Sequence, residues 1–323
     1  MLKNKTIIIT GAAGFIGSHL TEILLKNSNF LILIDNFNEY YLGKEERLEA
    51  ILSNYQSNKD YIVIREDLTK KSFINKIHHE IDYIFHFAAQ AGVRYSINKA
   101  AEVTQNNIIS TVNIFEYALK NDKIQKIAYA SSSSVYGNPI YTPCDEDHPK
   151  NPISPYAVSK LCGELYADYY YREYSLPITS LRFYTVYGPR GRPDMSISKF
   201  FNFMLKDKEI SIYGTGEQLR DFTYISDIIN GLILACEKDA SNGEAFNLGS
   251  SNPISVNDLI EKMYTITNKP KKVKYIDKQQ GDVDITYSNI NKARNLLKFS
   301  PKVDIEEGLM NQYQWQNKEL SKH

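Results

Sequence analysis

The sequence predicts an α/β fold: a doubly wound parallel sheet with helices on both faces, followed by a smaller C-terminal α/β region. Three observations carry this. The first half alternates short β-branched runs with stretches long enough for crossover helices. A Gly-x-x-Gly-x-x-Gly turn joins the first strand-like run to the first helical one. Beyond Gly188 the alternation loosens into Gly/Pro-rich connections between shorter elements.

Taken in order, residues 6–10 read as a buried strand, 17–26 as a helix and 31–35 as the second strand. Residues 61–66, 81–88 and 124–131 read as strands three to five, with a crossover helix over 106–120. A helix opens near Tyr156, and residues 178–182 form the strand after it. Residues 245–248 are strand-like and suited to return to the main sheet. The expected division is therefore a nucleotide domain over 1–185, with about 222–250 returning to it, and a mainly substrate-binding domain over 186–323.

Composition narrows the function classes. The 323-residue chain is 42% hydrophobic and 24% charged, the profile of a globular protein able to bury a core without staples. Lysine plus arginine equal aspartate plus glutamate at 38 each, which argues against a nucleic-acid binder but leaves room for a local anion pocket. Cys144, Cys162 and Cys236 are far apart, so a zinc site or disulfide framework is not expected, and reduced thiols in a cytoplasmic protein are. The apolar run before Gly11 is too short to span a bilayer, and no targeting or membrane segment is expected.

The opening turn is Gly11-Ala12-Ala13-Gly14-Phe15-Ile16-Gly17. Glycine is needed there on steric grounds, because backbone must approach a pyrophosphate and the helix must pack close to the sheet. The helix N-terminus then offers unpaired N–H groups to the anion. Asp35 ends the second strand, 18 positions after Gly17, where an acid accepts hydrogen bonds from the adenosine ribose hydroxyls. Asn36-Phe37-Asn38 supply no Arg or Lys for a ribose phosphate, which favours NAD over NADP. Asp67-Leu68 after the third strand suits either an adenine contact or an ordinary turn.

Tyr156 and Lys160 lie four apart behind Pro155, a residue suited to the first turn of a helix, so both project from one face. An ammonium beside a phenol favours the phenolate, lowering a tyrosine pKa toward that of a working base. In a chain with 24 tyrosines such a pair means little alone. It gains meaning from Ser131-Ser132-Ser133-Ser134-Val135-Tyr136-Gly137, which follows the fifth strand at the sheet end where α/β ligand sites lie.

Together with His86-Phe87-Ala88-Ala89 and Arg220-Asp221-Phe222, these motifs resemble the extended short-chain dehydrogenase/reductase family over about residues 5–310. That family has a Rossmann-type fold. Within it the chain is most similar to the UDP-glucuronate 4-epimerases, through Asp35-Asn36-Phe37-Asn38-Glu39-Tyr40-Tyr41, Gln90-Ala91-Gly92-Val93-Arg94, and Thr185-Val186-Tyr187-Gly188-Pro189 running into Gly191-Arg192-Pro193-Asp194-Met195. Related epimerases of neutral sugars usually carry Asn where Thr185 stands.

The resemblance implies site roles. Tyr156, Lys160 and Ser132 would be catalytic. Gly11, Gly14, Phe15, Ile16, Gly17, Asp35, Asn36, Asp67, Leu68 and Ala88, with Tyr156 and Lys160, would hold NAD. Arg94, Ser133, Ser134, Thr185, Arg192, Tyr213, Arg220 and Asp282 would hold the UDP-sugar, Thr185 and Arg192 gripping the glucuronate carboxylate and Arg220 the diphosphate. Gln279-Gln280 stand where neutral-sugar epimerases often carry a second pyrophosphate arginine. A homodimer through the long helices near Asn106 and Tyr156 is also implied.

The implied reaction is transient oxidation at C4, turning of the 4-keto sugar, and reduction from its other face. Its expected form is UDP-glucuronate to UDP-galacturonate, in polysaccharide biosynthesis. A neutral sugar is expected to be disfavoured because it would leave Arg192 a partly buried, unpaired cation. Close rivals are UDP-glucose or UDP-N-acetylglucosamine 4-epimerase and UDP-glucuronate decarboxylase. Dehydration is disfavoured, since Ser133-Ser134 replace the Asp-Glu pair that dehydratases use. A rival of another class is a non-catalytic NAD-binding sensor, which would usually have lost Tyr156 or Lys160.

Overall fold

A computed structural model describes residues 2–278 and 282–321. Six parallel strands arise in chain order: β1 (Thr6–Thr10), β2 (Phe30–Asp35), β3 (Tyr61–Arg65), β4 (Tyr83–His86), β5 (Lys126–Ser132) and β6 (Ile178–Phe183). The strand Ala245–Leu248 joins them beside β6, pairing Ala245 with Ser180 and Leu248 with Phe183. Across the sheet the order is Ala245–Leu248, β6, β5, β4, β1, β2, β3. The chain runs outward from β1 to β3, then crosses back to β4. A crevice therefore opens at the carboxyl ends of β1 and β4, where ligands of such sheets bind.

The β-branched runs become buried strands because both faces are covered. Successive side chains point to opposite sides. Ile7, Ile9, Leu31 and Leu33 enter one core, while Ile8, Ile32 and Ile34 enter the other. All seven are fully buried, the burial expected of a parallel sheet sandwiched by helices.

The sequence-based boundaries shift in places. The first helix, α1, spans Phe15–Leu25, starting two residues early because Gly14 already caps it. β3 stops at Arg65 and β4 at His86 rather than at 66 and 88. Beyond His86 the chain lies across the β1 turn: a Cβ on Gly11 would meet Ala88 N at 2.9 Å. Residues 106–120 form part of a longer helical run, Ala100–Thr104 and Ser110–Leu119 joined by a π turn at Gln105–Ile109. The helix Pro155–Tyr174 starts as expected, with Pro155 in its first turn and Ser154 Oγ accepting the Ala157 N–H at 3.2 Å.

The later part of the chain builds a separate core. Phe201, Met204, Leu259, Met263 and Leu309 meet where the helices Ser196–Leu205, Val256–Thr267 and Ile305–Leu320 pack together. The parallel strands Ile210–Tyr213 and Val273–Ile276 lie beside them. All three cysteines are free, and no described helix is long and apolar enough to cross a membrane.

Candidate active site

The glycine turn is as tight as its composition demands. Gly11 sits at φ 67°, a left-handed conformation, and a Cβ on Gly17 would strike Gly11 O. Side chains here would push α1 off the sheet. Asp35 accepts the backbone N–H of Ala13 at 3.0 Å and of Phe37 at 2.8 Å, which ties the glycine turn to the loop after β2. Burial raises its pKa, opposed by those N–H groups and by the charges of Lys44 and Arg65. The absence of a cation in residues 36–38 thus does not extend to space. Lys44, nearly buried, faces Asp35 but commits its ammonium to Asn38 Oδ1 at 2.7 Å. Asp67 makes a turn, accepting the Thr69 N–H at 2.9 Å, and also lines the cavity. The cradle, the N-terminus of α1 and the acid at the end of β2 fit a dinucleotide.

His86 is fully buried and connects β1 to the helix Ser110–Leu119. Thr10 Oγ1 lies 2.7 Å from Nδ1 and Thr111 Oγ1 lies 3.0 Å from Nε2. Thr111 gives its own proton to Asn107 O at 2.6 Å, so His86 donates from Nε2. Burial, aided by the charge of Lys160, lowers its pKa to about 3. Sequence reasoning missed Asn107, which no local pattern marks. From the π turn its amide accepts the Gln90 N–H at 2.7 Å and donates to Ser159 Oγ at 2.9 Å. It thereby fastens the loop at Gln90, just before the helix Val93–Asn98, to the Pro155–Tyr174 helix.

On that helix Lys160 is buried and donates to Ala130 O at 2.7 Å, with its ammonium 5.9 Å from the Tyr156 ring. The expected depression of the Tyr156 pKa is not found. Burial raises it, and what opposes burial is the charge of Arg192 and a hydrogen bond with Ser132, not Lys160. Lys160 is itself lowered to about 8 by burial, against the pull of Glu164. Ser132 Oγ and Ser134 Oγ are hydrogen-bonded at 3.0 Å, and Ser132 is the serine of the run that also bonds Tyr156.

Arg192 stands among these groups, with one correction. It is not unpaired: its Nε and Nη2 fork onto Asp194 at 3.0 and 2.7 Å. At the far end Arg94 pairs with Asp282 at 2.7 Å and stacks over Tyr213 at 4.4 Å. Arg220 donates to Val283 O at 2.7 Å. Its neighbour Asp221 is fully buried and binds the N–H groups of Ser250 and Ser288 at 2.8 and 3.0 Å, holding Arg220 at the cavity edge. Gln279 and Gln280 lie outside the described residues.

Every residue singled out above as catalytic, cofactor-binding or substrate-binding lines one cavity of about 790 Å³. It runs from the glycine turn, past Tyr156, to Arg220 and Asp282. Among the described residues no group of His, Cys, Asp and Glu is arranged to hold a metal.

The family model described as GDP-mannose 4,6 dehydratase matches residues 8–312. A UDP-glucuronate 4-epimerase of Thermodesulfobacterium geofontis is 37% identical over 319 residues, covering 97% of this chain and 96% of that protein. The Bacillus cereus UDP-glucuronic acid 4-epimerase, solved with UDP-glucuronic acid and NAD, is 37% identical with a TM-score of 0.90, covering 98% of this chain and 99% of that one. A UDP-N-acetylglucosamine 4-epimerase of Methanobrevibacter ruminantium, solved with UDP-N-acetylmuramic acid, is 33% identical with a TM-score of 0.90 over 100% of both chains. The chain therefore belongs to the extended short-chain dehydrogenase/reductases, in their family of NAD-dependent sugar epimerases and dehydratases.

Proposed function

We propose that this enzyme is a UDP-glucuronate 4-epimerase that forms UDP-galacturonate through a transient 4-keto sugar. The observation that carries the reading is the meeting of Thr185 and Arg192 with Tyr156 and Ser132 in one cavity. A planar guanidinium and a hydroxyl together suit a sugar carboxylate. Bound NAD supplies the two-electron acceptor and donor at C4. Tyr156 takes the O4 proton and later returns it, and Ser132 holds O4 as charge develops. Lys160, anchored on Ala130 O, would bind the nicotinamide ribose. The proposed division of labour assigns residues 1–185 and about 222–250 to NAD, and the rest mainly to the UDP-sugar.

Neutral-sugar epimerisation is the second reading. It is favoured by the Arg192–Asp194 pair, which lets the guanidinium stay neutralised when no substrate carboxylate is present. Incubation with UDP-glucuronate, UDP-glucose and UDP-N-acetylglucosamine, with products identified by NMR, decides between them. Faster conversion of either neutral sugar overturns the glucuronate reading.

We also propose a homodimer. Val158, Leu165, Tyr166 and Tyr169 form an exposed stripe at helical spacing on Pro155–Tyr174, with Ile109 exposed on the neighbouring helical run. Tyr166→Glu should give a monomer by light scattering. An unchanged mass would remove this face from the assembly.

A further inference from the structure

Two clasps hold the loop that carries Arg192, and both reach from elements that form the cofactor side of the cavity. On one side of Arg192, Arg190 donates to His19 Nδ1 at 2.7 Å and to Glu22 Oε2 at 2.8 Å, both on α1. On the other, Asp194 receives the Arg192 fork and also the Tyr40 hydroxyl, at 3.1 Å from Oδ2. Tyr40 belongs to the loop that follows Asp35. Its ring is fixed edge-on against Tyr95 at 5.2 Å.

Chemistry assigns the direction of these contacts. Burial raises the Tyr40 pKa to about 12, so the phenol keeps its proton and donates it to Asp194. Burial works against ionisation of Asp194 as well, but the Arg192 fork and the Tyr40 hydroxyl outweigh it and leave its pKa below the ordinary value. Asp194 is thus a carboxylate whose Oδ2 takes both the Tyr40 hydroxyl and Arg192 Nη2, while its Oδ1 takes Arg192 Nε. The fork occupies the Nε–Nη2 edge of the guanidinium. Nη2 also reaches Met195 Sδ at 3.6 Å, while among the described residues Nη1 makes no hydrogen bond, so Nη1 is the donor that remains for another anion.

We propose that Asp194, steadied by Tyr40, is a positioning residue that sets the plane of the Arg192 guanidinium for the hexuronate carboxylate. In doing so it governs both preference for glucuronate and retention of its carboxyl group. The proposal rests on the glucuronate reading above. An arginine on a loop has many rotamers, and fixing its plane beforehand removes the entropy of ordering it on binding. The plane also matters to the chemistry. In a 4-keto hexuronate, CO2 leaves when the C5–C6 bond aligns with the carbonyl π system. Its electron pair then passes to the carbonyl as an enolate, which takes a proton at C5. A carboxylate held in one orientation resists that alignment.

The test uses wild-type, Asp194→Asn and Tyr40→Phe proteins with NAD bound, assayed with UDP-glucuronate and UDP-glucose. Asp194→Asn should raise KM for UDP-glucuronate by about tenfold, the scale of one lost charge-assisted hydrogen bond. It should raise KM for UDP-glucose much less. The fraction of UDP-pentose product and released CO2 should rise as well, which a merely structural role would not produce. Tyr40→Phe keeps the ring and should act in the same direction with smaller size, so it carries the test if Asp194→Asn fails to fold. A KM for UDP-glucuronate that falls, or rises equally for both sugars with no gain in CO2, overturns the positioning role and leaves the epimerase reading intact. A wild-type protein inactive on UDP-glucuronate but active on UDP-glucose overturns both.

Discussion

Arg182 grips Glu164 through two parallel hydrogen bonds, Nε to Oε1 at 2.9 Å and Nη2 to Oε2 at 2.7 Å, one helical turn beyond Lys160. Both side chains are buried, and Ser131 adds its hydroxyl to Glu164. The pair joins β6 to the helix that carries Tyr156 and Lys160. Removing one partner strands the other charge in the interior, at a typical cost of about 3–5 kcal/mol. Arg182→Met and Glu164→Gln should therefore both show a large loss in chemical denaturation. A loss under about 1 kcal/mol for either would mean water reaches the pair.

Tyr156→Phe should lose roughly a thousandfold in turnover while keeping NAD, the scale of a missing general base. The rising limb of the pH–rate profile should belong to the phenol. Because Arg192 is the charge that lowers the Tyr156 pKa, Arg192→Met should move that limb to higher pH with UDP-glucose as well as UDP-glucuronate. Profiles that coincide for wild type and Arg192→Met would assign the limb to another group.

Asp35→Ala should weaken NAD and narrow its preference over NADP. The reason is spatial: Lys44 faces Asp35, and without the acid it presents positive charge to a 2′-phosphate, whereas Arg65 stays paired with Glu45. Titration of both cofactors into stripped protein reads the change. Preference for NAD undiminished in the variant would show that shape, not charge, excludes the phosphate.

Acid should destabilise the fold below about pH 6.5. His86 is held neutral by burial and by Lys160, its pKa lowered from 6.5 to about 3. His19 is lowered to about 4 by burial and by Arg190. Between 6.5 and these values the unfolded chain binds the protons that the folded one refuses, so stability falls as pH falls. Each site contributes on the order of a few kcal/mol once the pH approaches its folded pKa. His86→Gln should lose hydrogen bonds at pH 7 yet flatten the decline in denaturation midpoint between pH 7 and 4.5. An equally steep decline in the variant would place the acid sensitivity elsewhere.

Much of the fold was legible because its signals are local. The strands from Thr6 to Thr10 and from Ala245 to Leu248 match their predicted spans, since β-branched runs bounded by turn residues bury themselves on either face of a sheet. Ser154-Pro155 marked the start of the catalytic helix, because a cap and a preset φ act within one turn. Strand ends were less legible. β4 stops at His86 because Gly11 lies against Ala88, a contact between residues 77 positions apart.

By itself the sequence determined the glycine cradle, the acid that follows it, and the Tyr156–Lys160 spacing, since each depends on neighbours within a turn or a strand. Only the tertiary structure decided how those groups are charged. It placed Arg192, not Lys160, as the cation that eases ionisation of Tyr156, and gave Arg192 a partner in Asp194. It brought Lys44 to Asp35 and Asn107 to Ser159. Burial and electrostatic pairing depend on distances through space, and residues far apart in the chain set those distances only when the sheet has closed.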